Sequence, residues 1–136
     1  MAQHSSEQIL RSLIPELVRR VQLVYNQWDQ SDEEFGDPDL GFGGFCQDIA
    51  EQIAGAVWEL TNFEASTVSA HIGEQHVWTM VKTPEGVFSI DIPPSYYETG
   101  GGYNWQKMPG IEFDESFFVI DLVSADPDDF EEMTAE

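Results

Sequence analysis

The hydrophobic period changes once along this chain, and that change limits the folds open to it. From Ser6 to about Trp28 the apolar residues Ile9, Leu10, Leu13, Ile14, Leu17, Val18, Val21, Val24 and Trp28 recur at spacings of three and four, the pattern of an amphipathic helix. Pro15 falls inside that stretch and is expected to kink or divide it. A second helix is expected to begin near Cys46, with Ile49, Ile53, Ala56, Val57 and Leu60 on one stripe and Gln47, Asp48, Glu51 and Gln52 mainly on the other side. Asp48 is then expected in its first turn, where a carboxylate suits the positive end of the helix dipole. Beyond it the helical period ends. Ser66–Ile72, His76–Lys82 and Val87–Ile92 are short, β-rich segments separated by Gly73–Gln75 and by the turn Thr83–Gly86. Phe117–Val123 reads as one more strand. The expected architecture is α+β: two helices packed on one side of a roughly four-stranded antiparallel sheet, the second helix lying against it.

With 136 residues, 41% of them apolar, the chain suffices for one core and not for two, so residues 1–125 read as a single domain. Residues 29–44 hold six acids, four glycines and a proline without either period and read as an exposed loop. Residues 93–110 form a second long loop, rich in aromatic residues: Tyr96, Tyr97, Tyr103 and Trp105 surround Gly100–Gly102. Residues 126–136 are strongly acidic with few anchoring side chains and are expected to form a flexible tail.

Five Lys and Arg against 26 Asp and Glu give a formal charge of -21, which sets the chain against direct binding of nucleic acid or anionic lipid. The charge is uneven. Residues 1–20 carry Arg11, Arg19 and Arg20 against Glu7 and Glu16, while 24 acids face only Lys82 and Lys107 in the remainder. No apolar run approaches the roughly 18 residues of a membrane span, and no basic segment followed by an apolar run opens the chain. A soluble, cytoplasmic protein is expected.

Cys46 is the sole cysteine, so no internal disulfide forms. A lone cysteine is first a small buried hydrophobe. It is a nucleophile when a helix start or a histidine favours its thiolate, since a free thiol has a pKa of ~8.5. Cys46 is expected at a helix start, after Gly41, Gly43 and Gly44, which leave room for a substrate and for amides aimed at an oxyanion. The hairpin places a histidine and a carboxylate together. With either a two-residue or a four-residue loop, Lys82 lies opposite Val87, Trp78 opposite Asp91 and His76 opposite Pro93. His76 and Asp91 are then same-face diagonal neighbours, ~7–8 Å apart at the backbone and within hydrogen-bonding reach of each other. A three-residue loop would put them on opposite faces.

Cys46, His76 and Asp91 thus supply a nucleophile, a base and an orienting carboxylate in that order. Gly44-Phe45-Cys46-Gln47-Asp48-Ile49-Ala50 resembles the Gly-x-Cys-x-Asp-x-Ala start of the catalytic helix in bacterial transglutaminase-like cysteine proteinases. His76-Val77-Trp78-Thr79-Met80-Val81 is similar to that family's His-x-Trp-x-x-Val strand, and Phe88-Ser89-Ile90-Asp91-Ile92-Pro93 to its aromatic-x-x-Asp strand. The resemblance spans about residues 43–94. It implies a papain-like (transglutaminase-like) core and Cys46-dependent acyl transfer on a peptide or protein substrate, with no cofactor, as a peptidase, amidase, deamidase or transglutaminase-like enzyme.

The glutamine that papain-type enzymes place upstream of their cysteine is replaced by Leu40 at the matching spacing, so the oxyanion donor is open between backbone amides at Gly44 and the indole of Trp28. Trp78, Tyr96 and Tyr97 are candidates to line the substrate. A zinc site of His71, His76 and Cys46 lacks paired-ligand spacing and weighs little. The alternative to an enzyme is an acidic binding protein or inhibitor that occupies a basic partner's surface, including a degenerate member of the same fold.

Overall fold

Ser5 opens the first helix with a capping box: its hydroxyl accepts from the Gln8 amide at 3.1 Å, and the Gln8 side chain accepts from the Ser5 amide at 3.0 Å. The computed structural model describes residues 5–27, 44–70, 76–93, 96, 98–99, 106–108 and 110–134. Helix α1 (Ser6–Ser12) ends at Leu13, and α2 (Ile14–Gln27) begins at once. The single N-terminal helix expected from the period is therefore divided at Pro15, the second residue of α2, where a missing amide hydrogen costs no helical bond. Trp28, its expected last residue, lies outside the described residues.

Ile14, Leu17, Val21 and Tyr25 form the buried stripe of α2. Opposite that stripe, the arginines are tied to carboxylates. Arg19 and Arg20 both donate to Glu16 and hold its carboxyl down at about 2, and Arg20 also reaches Glu59 on the next helix at 2.6 Å. The arginines of this locally basic segment are thus engaged within the fold, Arg11 with Glu7.

Helix α3 (Gly44–Leu60) buries Ile49, Ala50, Ile53, Ala54, Ala56 and Val57 between α2 and the sheet. Its small residues let the helix approach closely. Leu60, expected on the same stripe, is instead 48% exposed. The chain leaves the helix one residue later, where Thr61 bonds back to the Val57 carbonyl and Phe63 packs against the core.

The sheet has the order β1-β2-β3-β6, all antiparallel, formed by β1 (Glu64–Ala70), β2 (His76–Thr83), β3 (Gly86–Asp91) and β6 (Val119–Ser124). A separate two-stranded ribbon joins β4 (Glu98–Thr99) to β5 (Gln106–Lys107). The coarse α+β class is as expected. The last strand starts later than expected because Glu115–Phe117 form a 3-10 turn capped by Asp114.

Helix α4 (Asp129–Thr134) falls where a flexible tail was expected. One side chain accounts for the difference. Phe130 is buried with Val68, Met80 and Val87 on the sheet face away from α3, and burying an aromatic ring offsets much of the cost of ordering a short acidic segment. Both faces of the sheet are therefore covered: Val77, Val81, Phe88, Ile90 and Ile120 by α2 and α3, and the opposite face in part by α4.

Candidate functional site

The β2–β3 turn sets the geometry of the site. Thr83 lies opposite Gly86 across the two-residue turn Pro84-Glu85, with Thr83 Oγ1 accepting from the Glu85 amide at 3.1 Å and donating to the Gly86 carbonyl at 3.0 Å. Lys82 lies opposite Val87 and Thr79 opposite Ile90, the register expected from sequence. Beyond that pair, His76 Nε2 lies 3.0 Å from Asp91 Oδ1 and 2.9 Å from Oδ2. The imidazole is also stacked on the Trp78 indole, with centroids 5.6 Å apart and planes inclined by 22°. Carboxylate and indole together fix the ring's tilt and direct one nitrogen at Asp91. The side chains are 20% and 28% exposed, with the second ring nitrogen, Nδ1, buried.

Cys46 is the third residue of α3, and Gly44 the first. Both lie in the turn whose amides lack intrahelical acceptors. The side chain of Cys46 lies outside the described residues. The helix axis can still be followed. Thr79 Oγ1 donates to the Ala50 carbonyl at 2.8 Å, and Trp58 Nε1 donates to the carbonyl of Ala65, which lies opposite Val81, at 2.7 Å. From Ala50 to Trp58 the helix thus advances in the same sense as β2 from Thr79 to Val81. Its N-terminus projects back toward the strand start that carries His76.

Strand alternation adds a constraint. Val77, Thr79 and Val81 face α3, whereas His76, Trp78 and Met80 point to the other side of the sheet, as does Asp91. The structure brings His76 and Asp91 together and directs the N-terminus of α3 toward the same end of the sheet, but on the opposite face. The second helix does lie against the sheet, as expected, with its stripe turned to the odd-numbered residues of β2.

Among the other candidates, Tyr96 is 43% exposed and its ring packs edge-on against Phe117, with centroids 5.4 Å apart. Trp28, Tyr97, Gly41 and Gly43 lie outside the described residues. So does His71, which the zinc reading needs. Among the described residues no group of three or more His, Cys, Asp or Glu could hold a metal ion, and no helix is long and apolar enough to cross a membrane.

Sequence reasoning missed Thr79, a buried hydroxyl that pins α3 to β2 and so sets the height of the helix N-terminus. Its one signal is a threonine among the apolar residues of a central strand. Asp48 was also misplaced: α3 starts at Gly44, so Asp48 falls beyond the first turn. Burial raises its carboxyl pKa, and the nearby Glu51 charge adds to the rise. Between the ordinary and the raised values the folded state holds a proton that the unfolded chain releases. Stability from this group is therefore present at low pH and lost as pH rises through the raised value. Asp48→Asn should raise Tm at neutral pH, with the gain vanishing below the ordinary carboxylate range. Thermal unfolding across pH checks this.

No protein-family model, curated protein or solved structure matches this chain.

Proposed function

We propose that the protein is a cysteine-dependent acyl-transfer enzyme in which Cys46 is the nucleophile, His76 the base and Asp91 the group that orients the imidazole. The hydrogen bond between His76 and Asp91, at the sheet end toward which α3 points its first turn, is the observation that carries this reading. With Nε2 directed at the carboxylate, this reading assigns proton exchange with the thiol to Nδ1, which is buried, so the thiol must reach it in direct contact.

In the proposed reaction Nδ1 takes the thiol proton as Cys46 Sγ attacks the carbonyl carbon of a peptide or side-chain carboxamide. The carbon–nitrogen bond then breaks, the amine leaves with the proton from His76, and a thioester remains on Cys46. Water or a second amine attacks that thioester and restores the thiol. The first-turn amides of α3, including that of Gly44, supply the oxyanion donors. Because the imidazole issues from the sheet face opposite α3, this reading requires thiol and imidazole to meet around the open end of the sheet.

A non-enzymatic reading is favoured by that same face assignment. If the His76–Asp91 pair serves only to brace the start of β2, the protein acts through its acidic surface.

Trapping the thioester separates the two. Incubated with an activated acyl donor such as a peptide thioester, the protein should gain one acyl mass on Cys46 and lose it to an added primary amine or to water. Acylation no faster than that of a free thiol, or equally fast in His76→Ala, would remove the enzyme reading.

A further inference from the structure

The sheet has one margin whose chemistry departs from that of an ordinary exposed edge. Among the described residues β6 pairs only with β3, so its outer row of backbone donors and acceptors lacks a strand partner. Edge strands are usually defended by charge, proline or a covering element. Here Val119, Leu122 and Val123 are 37%, 53% and 44% exposed. They border both faces of the margin, since Val119 lies opposite Asp91 and Leu122 opposite Phe88.

The charges around this strand choose its partner. Asp121 is exposed in the middle of β6, with exposed Glu112, Asp114 and Glu115 before it and Asp126 and Asp128 after it. No Lys or Arg follows Lys107 in the chain. A second copy carrying the same charge of -21 would bring acid against acid along the new seam. The acid that discourages self-pairing instead favours a cationic strand.

We propose that the outer edge of β6 receives an extended, basic polypeptide segment by β-strand addition, its apolar side chains covering Leu122 on one face and its Lys or Arg residues meeting Asp121 and the flanking acids on the other, their aliphatic stems lying over Val119. Main-chain hydrogen bonds give such a seam its affinity, and alternate side chains give it specificity. The added strand would pass the sheet end that holds His76 and Asp91, because Val119 lies opposite Asp91. The inference does not rest on the chemistry of Cys46.

The test uses a short fluorescent peptide of alternating valine and lysine, the same peptide N-methylated at alternate residues, and a version with glutamate for lysine. Anisotropy titration should show the unmodified lysine peptide binding at least ~10-fold more tightly than the N-methylated one, whose charge is equal but whose donors are blocked. Asp121→Lys should weaken it at least ~10-fold, and about 0.3 M salt should weaken it further. Leu122→Ser, an exposed change with unaltered charge, should weaken it at either salt concentration. Equal binding by the N-methylated peptide would reduce the effect to charge attraction and overturn strand addition. Insensitivity to both variants, or a sedimenting dimer that Leu122→Ser dissolves, would overturn the assignment of this edge to a basic partner.

Discussion

Gly86→Ala should destabilise the protein by roughly 4 kcal/mol and lower Tm by about 15 °C. Gly86 has φ +136°, a conformation that L side chains rarely adopt, and a Cβ built there would lie 2.1 Å from the Ser124 carbonyl oxygen and 3.0 Å from the Ala125 Cα. Both neighbours are backbone atoms, so no rotamer change relieves the contact. Strain at such a φ costs about 1–3 kcal/mol, and overpacking against fixed atoms costs about as much again. The effect reaches beyond stability. Gly86 closes the turn that aligns β2 with β3, and a one-residue slip there would send His76 and Asp91 to opposite faces of the sheet. Thermal unfolding of the variant checks the size of the loss, and a Tm within a few degrees of the parent would contradict the tight approach of β6 to this turn.

The second large effect is chemical. Cys46→Ala should abolish acyl loading, because no other thiol exists in the chain. His76→Ala should slow it by about 10³-fold, within the range usual for loss of a general base. Asp91→Asn should keep the shape of the pair and slow loading by about 10²-fold, since orientation contributes less here than removal of nucleophile or base. Single-turnover acylation followed by intact mass measures all three rates. A loading rate unchanged in His76→Ala would leave the histidine as a structural residue braced by Asp91.

Several features of this arrangement were legible in the chain and others were not, for physical reasons. The Thr83–Gly86 turn fixes a register that places His76 beside Asp91, and a period of two then decides that both share a face. Which face α3 covers was not legible, because β2 is apolar on both sides: Val77 and Val81 on one, Trp78 and Met80 on the other. Pro15 marked the break between α1 and α2, but its cost depends on whether it falls within a helix or at its start. Helix α4 was hidden by composition. Its acids argued for a solvated tail, and its order depends on Phe130 reaching a patch built from three separate strands. Leu60 followed the helical period and is nevertheless exposed, because the chain turns away one residue later.

Alkylation of Cys46 addresses the central claim without knowledge of the substrate. The rate with iodoacetamide below neutral pH should be compared in the native protein, in His76→Ala and in the protein unfolded in urea. An activated thiolate at a helix start beside an imidazole should react at least ~10-fold faster in the native protein than in the unfolded chain, and His76→Ala should remove that advantage. A native thiol slower than the unfolded one, or a rate unchanged in His76→Ala, would show that Cys46 and His76 do not act together.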